Sequence, residues 1–307
     1  MILTVGTLFE RKTVPANHEV NRDWHEHDIF VVSDLHIGDG SAKDSLLKRD
    51  NQTLLYRFLD EVDHCRGRLI ILGDLFELWR YSPQAVVNRW SPLLDRFAVM
   101  DVTYVPGNHD WQFWKERQYW QRQHPFFGRM RKPFVMRIGD KYFKFMHGHE
   151  VDPMISETMG RLRPAMKLLS GVLEFRSDSC LVTSDYLTDI LLEAGEQVLH
   201  LWQRLTRQFN RAIYEPLGLD DGYRAIIRPI RTRNMMARFY HQQQQGAYDI
   251  TITGHTHQAG RFGQWYFNSG CWTQSVVNYL RIRPEGTIEV IDRKADGERL
   301  NQTVVLR

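Results

Sequence analysis

The stretch Ile29-Phe-Val-Val-Ser-Asp-Leu-His36 decides the fold, because a short apolar run ends directly in an aspartate and a histidine. Four consecutive apolar residues of mostly β-branched and aromatic type are typical of a buried strand. The two polar residues that follow are both metal-ligand types. A lone Asp-x-His after a strand is common, so this stretch does not by itself establish a metal site.

The same arrangement recurs at four further places along the chain. Apolar, strand-like runs occupy residues 69–72, 102–105, 142–146 and 250–253. They are followed by Gly73-Asp74, Gly107-Asn108-His109, His147-Gly148-His149 and Gly254-His255-Thr256-His257. In open α/β sheets, ligands bind just beyond the carboxyl ends of the strands, and glycines let the backbone approach a ligand closely. Five such strand ends predict one shared metal site.

Between several of these runs lie segments with apolar residues at helical spacing, such as residues 45–64. Strands that alternate with helices predict an α/β layered domain. Near the end of the chain, residues 276–283 and 287–293 flank Pro284-Glu285-Gly286 and predict a β-hairpin. Residues 150–247 interrupt the strand rhythm. Amphipathic helices are expected there over 154–175 and 184–214, which predicts an inserted helical cap.

Composition narrows the class of protein. Apolar residues make up 42% of the chain, and the net charge of +3 is too small and too evenly spread to predict a nucleic-acid partner. Three cysteines without close spacing disfavour a disulfide framework and a zinc knuckle. We see no secretory signal at the start and no run approaching the roughly 18 to 20 apolar residues of a membrane span. A cytoplasmic protein is therefore expected.

The five blocks, in this order, resemble the calcineurin-like metallophosphoesterase superfamily, whose pattern runs Asp-x-His, Gly-Asp, Gly-Asn-His-Asp/Glu, His and Gly-His-x-His. The resemblance spans residues 34–257. It implies one catalytic domain over residues 1–307, built as a four-layer α/β-β/α sandwich of two mixed sheets, with the cap over 150–247. Carried over residue by residue, it implies that one metal is held by Asp34, His36 and His257. The second would be held by Asn108, His147 and His255, with Asp74 bridging the two.

Imidazole, carboxylate and amide oxygen together suit borderline or harder divalent ions. We expect two ions, with manganese first and iron, zinc or cobalt as alternatives. Without thiolates, a closed structural zinc site is disfavoured. Two ions roughly 3.5 to 4 Å apart share a water and make it a hydroxide near neutral pH. By the same resemblance, His109 is the catalytic residue that gives a proton to the leaving oxygen or stabilises the charge developing there.

Within the superfamily, residues 73–79, residues 146–152 and the helical insertion are most similar to one branch, the UDP-2,3-diacylglucosamine diphosphatases of lipid A synthesis. Those enzymes cleave a pyrophosphate at a membrane surface and release UMP and a lipid phosphate. The resemblance therefore implies a nucleotide-linked glycolipid substrate and peripheral contact with the inner membrane. Two positions depart from the branch, which usually has arginine in place of His109 and aspartate in place of His149.

Three residues are considered for contact with the substrate. His149 lies two residues past a predicted ligand, and Arg228 and Arg231 lie in an arginine-rich stretch of the insert. All three are candidates for substrate recognition; a surface histidine and a solvated basic face are the alternatives. Rival functions stay open: a general phosphomonoesterase or phosphodiesterase acting on a small soluble substrate, or a non-catalytic metal-binding scaffold. A nuclease is disfavoured because no basic stripe is visible.

Overall fold

The computed structural model describes residues 27–152, 230–246, 248–294 and 297–305. Within these ranges the strands form two sheets, one of six strands and one of five. Both sheets mix parallel and antiparallel neighbours, and their facing surfaces bury a common apolar layer.

The six-stranded sheet contains the first predicted strand at its centre. Its strands are β1 (Ile29–Val32), β2 (Arg68–Leu72), β3 (Val102–Val105), β9 (Val277–Ile282), β10 (Ile288–Lys294) and β11 (Gly297–Val304). They lie in the order β11-β10-β9-β1-β2-β3. Strands β1, β2 and β3 are parallel, so their carboxyl ends meet at one edge of the sheet. Strand β9 joins the other side of β1 in the antiparallel direction.

The five-stranded sheet brings two further predicted strand ends together. Its strands are β4 (Phe134–Ile138), β5 (Lys141–Phe145), β6 (Ile250–Thr253), β7 (Gly260–Phe262) and β8 (Tyr266–Asn268), in the order β4-β5-β6-β8-β7. Strands β5 and β6 are parallel neighbours, so the segments after Phe145 and Thr253 leave the sheet side by side.

Alternation along the strands explains the layering. In β1, Ile29 and Val31 face the layer between the sheets, whereas Phe30 and Val32 face the helices. The helices on that outer face include α1 (Asn51–His64), α2 (Pro83–Arg89), α3 (Ser91–Val99), α4 (Trp111–Lys115) and α5 (Arg117–Gln123). On the far face of the other sheet, α6 (Ile230–Gln245) packs through Met235, Met236 and Phe239. The result is the expected sandwich of helix, sheet, sheet and helix.

The structure confirms the five strands predicted from the apolar runs, each within a residue of the expected bounds. It also confirms the hairpin, in which Arg283 N donates to Thr287 O at 2.9 Å. The helix predicted over 45–64 is wrong as a single segment. A 3-10 turn at Ser45–Leu47 is separated from α1 by Arg49 and Asp50, which both have left-handed backbones and so cannot continue a helix.

The helices expected over 154–175 and 184–214 lie outside the described residues, so the cap over 150–247 stays a prediction apart from α6 at its end. In the parts of the chain that the structure describes, no helix combines the length and the apolar character needed to cross a membrane.

Candidate metal centre

The predicted ligands sit on strand-end loops with an unusual backbone. Five of them have positive φ angles: Asp34, His36, Asp74, His255 and His257, at 55°, 48°, 50°, 71° and 56°. Residues with a Cβ avoid this region because of steric conflict, and such strain persists only where the surrounding structure holds it in place. Concentrating it on one set of polar side chains is typical of a functional site.

Backbone hydrogen bonds tie these loops to one another. His36 N donates to Asp74 O at 2.9 Å, and Asp34 N donates to Gly73 O at 3.1 Å. Side-chain carboxylates complete the connections between more distant segments. Asp34 Oδ2 accepts from His255 N at 2.9 Å, and Asp74 Oδ1 accepts from His109 N at 2.8 Å. One oxygen of each aspartate is therefore fixed by an amide, and the other faces the histidines.

Glycines make room for these side chains. A Cβ on Gly73 would lie 2.6 Å from the Cγ of His147, and one on Gly107 would lie 2.6 Å from the backbone nitrogen of Asp74. A Cβ on Gly254 would lie 2.5 Å from Asp34 Oδ2. The strand-end glycines thus clear space for ligands carried by neighbouring loops.

The first ligand group consists of Asp34, His36 and His257, whose ligand atoms all lie within 4.8 Å of one another. His257 Nε2 is 3.1 Å from Asp34 Oδ1 and 3.3 Å from His36 Nε2. His36 Nδ1 donates to Glu77 at 3.0 Å, which leaves its Nε2 lone pair directed at the group. Among the residues that the structure describes, none donates a hydrogen bond to the buried Asp34 Oδ1, although burying such an oxygen unpaired is costly.

The second ligand group consists of Asp74, His147 and His255, with Asn108 beside them. His147 is fully buried, and its Nδ1–H donates to Leu72 O at 2.6 Å. A neutral imidazole then has a bare lone pair at Nε2, yet this atom lies 3.2 Å from both Asp74 Oδ2 and Asn108 Oδ1. Three lone-pair atoms facing one point repel each other unless a cation or a proton lies between them.

The spacing of these atoms fits a divalent ion. Ligands held at about 2.0–2.1 Å in tetrahedral or octahedral geometry lie roughly 2.9 to 3.4 Å from one another. Four pairs of ligand atoms in the two groups are 3.1, 3.2, 3.2 and 3.3 Å apart. Asp74 Oδ2 is also 3.9 Å from His36 Nε2, so this carboxylate lies between the two groups. The residues present therefore suit two neighbouring cations.

Glu77 is a residue to which the sequence assigned no role. Its carboxylate is buried and accepts from His36 Nδ1 at 3.0 Å and from His109 Nδ1 at 2.8 Å. His36, Glu77 and His109 also lie close enough to form a third ligand cluster. Both histidines use Nδ1 to donate to the carboxylate, so we interpret this cluster as a hydrogen-bonded network that orients the two rings.

Asp152 is the second such residue. It is fully buried, and its Oδ2 accepts from His255 Nε2 at 2.8 Å. This bond places the proton of a neutral His255 on Nε2 and the ring's lone pair on Nδ1, so Nδ1 is the nitrogen that can act as a metal ligand, which is the usual arrangement around metal-binding histidines. The only sequence signal for Glu77 and Asp152 was an acid a few residues after a ligand.

Charges across the centre perturb the titration of its groups. Burial acts to raise the pKa of Asp34, but the neighbouring His257 outweighs it and the pKa falls to about 2. Burial acts to lower the pKa of His109, but Glu77 and Asp74 outweigh it and the pKa rises to about 9. Burial also acts to lower the pKa of His147, but the nearby Asp74 outweighs it and the pKa rises to about 10. Divalent cations compete with these protons for the same atoms.

Of the three candidate substrate residues, His149 and Arg231 lie within the described residues. The His149 ring lies 5.3 Å from that of His147 and 5.9 Å from that of Trp111, at the border of the second ligand group. Burial lowers the pKa of His149 despite the nearby Glu150. Arg228 lies outside the described residues, and Arg231 lies on α6. The roles of all three stay predictions.

Comparison with protein-family models places this arrangement in a known class. The calcineurin-like phosphoesterase model matches residues 27–259, which is more than half of the chain, so the chain belongs to the calcineurin-like phosphoesterase family. It is accordingly a metal-dependent hydrolase that acts on phosphoester bonds. A search among curated proteins returned no match.

Proposed function

We propose that the enzyme hydrolyses a phosphodiester or pyrophosphate bond at a centre of two divalent ions. One ion would be held by Asp34, His36 and His257, and the other by Asn108, His147 and His255, with Asp74 shared by the two. The observation that carries the assignment is the convergence of His147 Nε2, Asp74 Oδ2 and Asn108 Oδ1 on one point, while Nδ1 of His147 is already engaged by Leu72 O. Manganese suits this set of imidazole, carboxylate and amide ligands.

When bound, the two ions supply an activated water at neutral pH and stabilise the charge that builds on the phosphoryl oxygens. The chain itself supplies orientation. The hydrogen bonds of Asp34 to His255 N and of Asp74 to His109 N hold both carboxylates, and Leu72 O holds the His147 ring. These groups are set before substrate arrives, which is the condition for efficient electrostatic catalysis.

His109 is the proton donor in this proposal. Its Nδ1–H is occupied by Glu77, and its Nε2 lies on the side of Asp74, 3.9 Å from Oδ2. The side chain is 20% exposed, so an entering substrate can reach it. The hydrogen bond to the Glu77 carboxylate favours a protonated ring, and the leaving oxygen can take the Nε2 proton as the P–O bond breaks.

For the natural substrate we propose UDP-2,3-diacylglucosamine, cleaved to UMP and a lipid phosphate, with the enzyme in the cytoplasm and in peripheral contact with the inner membrane. Support comes from residues 73–79, residues 146–152 and the insertion, which are similar to the diphosphatases of lipid A synthesis. His149, Arg228 and Arg231 would contact the substrate phosphates. UMP release from vesicles containing UDP-diacylglucosamine tests the idea. Activity on small diesters without UMP release would remove this substrate and favour a small soluble one.

The reaction class is tested with Asn108→Ala, assayed on bis(p-nitrophenyl) phosphate with manganese. Losing one ligand should lower kcat by ~10²-fold or more, since the groups of such a centre act as a unit. Asn88→Ala is the matched control, because Asn88 is exposed and hydrogen-bonds Gln84 on α2, outside both ligand groups. Equal activity in the two folded variants would contradict the proposal. Manganese bound without any hydrolysis would instead favour a non-catalytic scaffold.

A further inference from the structure

The indole of Trp79 lies flat against the ring of His109. The two ring centroids are 3.9 Å apart, and the planes differ by 15°. We propose that Trp79 is a positioning residue, which fixes the plane of the His109 ring so that its Nε2 points at the leaving oxygen. The inference rests on the proposed role of His109 as a proton donor.

Trp79 is itself held from two sides. Its backbone N–H donates to Glu77 Oε1 at 3.1 Å, and its indole Nε1–H donates to Asn108 O at 3.1 Å. The first bond ties it to the carboxylate that binds His109, and the second ties it to the loop that carries His109. The indole therefore keeps a fixed relation to both ends of the histidine side chain.

Backbone hydrogen bonds anchor the segment that carries Glu77 and Trp79 to the loop after β1. Ile37 N donates to Leu75 O at 2.9 Å, and Glu77 N donates to Ile37 O at 3.0 Å. These bonds hold the segment against the loop that contains the first ligand group. A side chain on such a support is positioned more accurately than one on a free loop.

A second restraint on His109 is needed for geometric reasons. The bond from Nδ1 to Glu77 fixes one atom of the ring, but the ring can still rotate about that atom. A flat contact with the indole removes this freedom, and the face of an indole also favours a cationic partner. During reaction the electron pair of the breaking P–O bond goes to the leaving oxygen, and the Nε2 proton moves to it. This transfer requires the N–H to lie along one direction.

The functional test is Trp79→Leu, measured on two phosphodiesters. The phenolate released from a methyl phenyl diester needs a proton more than the p-nitrophenolate released from a methyl p-nitrophenyl diester. We expect kcat to fall ~10-fold or more for the phenyl ester and less than ~3-fold for the p-nitrophenyl ester, with KM nearly unchanged. Trp79→Phe, which keeps a flat ring, should recover most of the loss. Trp265→Leu is the matched control, because this half-buried tryptophan packs on Tyr240, Phe262 and Tyr266 instead.

A second readout does not depend on turnover. In the zinc-loaded protein with carbon-13-labelled histidine, the ring protons of His109 should be shifted upfield by the indole above them. The signal is assigned by its loss in His109→Asn. The upfield shift should disappear in Trp79→Leu and persist in Trp265→Leu. An unshifted His109 signal in the wild type would overturn the stacking contact.

The two proposals fail in different ways. If His109→Asn slows both esters equally, the proton-donor role fails and the inference falls with it. If His109→Asn slows mainly the phenyl ester and Trp79→Leu slows both esters equally, the positioning role alone is overturned. In the expected case the double variant Trp79→Leu, His109→Asn is no slower than His109→Asn on the phenyl ester, because residues that act through one another are not additive.

Discussion

Replacing Gly73 by alanine should damage the second ligand group without touching any ligand. Gly73 has a φ of +82°, and an added Cβ would lie 2.6 Å from the Cγ of His147 and 2.7 Å from the Cα of Gly107. The ring cannot retreat, because His147 is fully buried and its Nδ1–H is bonded to Leu72 O at 2.6 Å. Gly107 itself lies close to Asp74, since a Cβ on Gly107 would be 2.6 Å from the backbone nitrogen of Asp74.

The size of the effect follows from two contributions. A left-handed backbone costs a residue with a Cβ ~1–2 kcal/mol. Forcing an extra methyl into a packed interior costs typically ~1–3 kcal/mol. We therefore expect Gly73→Ala to lower the free energy of unfolding by about 2–5 kcal/mol. Since relief of the clash must move the His147 ring, affinity for the second ion should also fall by ~10-fold or more.

The assay is urea unfolding of chelator-treated protein, followed by calorimetric titration with manganese. Gly128→Ala is the matched control, because a Cβ on Gly128 would meet no atom within 4 Å and its φ is not in the left-handed region. That variant should stay within about 0.5 kcal/mol of the wild type or gain stability slightly. Wild-type stability and wild-type manganese affinity in Gly73→Ala would refute the reasoning.

Three further outcomes follow from the contacts of the centre. Glu77→Gln keeps the shape but removes the negative charge that faces His36 and His109, and it puts an amide NH2 group where one carboxylate oxygen accepts, so kcat should fall ~10–100-fold while circular dichroism stays unchanged; full activity would contradict this. Asp152→Asn should lower the affinity for one manganese ion ~10–100-fold, because it disturbs His255, and should leave the affinity for the other ion unchanged. Calorimetric titration measures both affinities, and an equal loss of the two would contradict the prediction. Phe58→Ala removes a fully buried ring and should lower the free energy of unfolding by about 3–5 kcal/mol without changing metal stoichiometry in the folded protein.

The sequence could predict those parts of the centre that depend on residue type and order. A buried strand followed by Asp34 and His36 can be recognised from four apolar residues and two ligand types, and the parallel sheet then brings such ends together. The hairpin near the end of the chain could be predicted equally well, because Pro284 and Gly286 mark its turn.

Other features depend on contacts that no local pattern contains. Glu77 reaches His36 across 41 residues, and Asp152 reaches His255 across 103, so an acid near a ligand gives no indication of its partner. Strands β7 and β8 have three residues each, which is too short for periodicity to indicate a strand. The break at Arg49 and Asp50 involves residues that do not favour left-handed backbones as glycine does.

The central claim is that two ligand groups, linked by Asp74, each hold one divalent ion. The most direct test is the metal content of the purified, manganese-saturated enzyme, measured by mass spectrometry for the wild type, His257→Ala and His147→Ala. We predict about two ions per chain in the wild type and about one in each variant, because each removes a ligand of a different group. A wild-type content of one ion or fewer, or about two ions in both variants, would contradict the account.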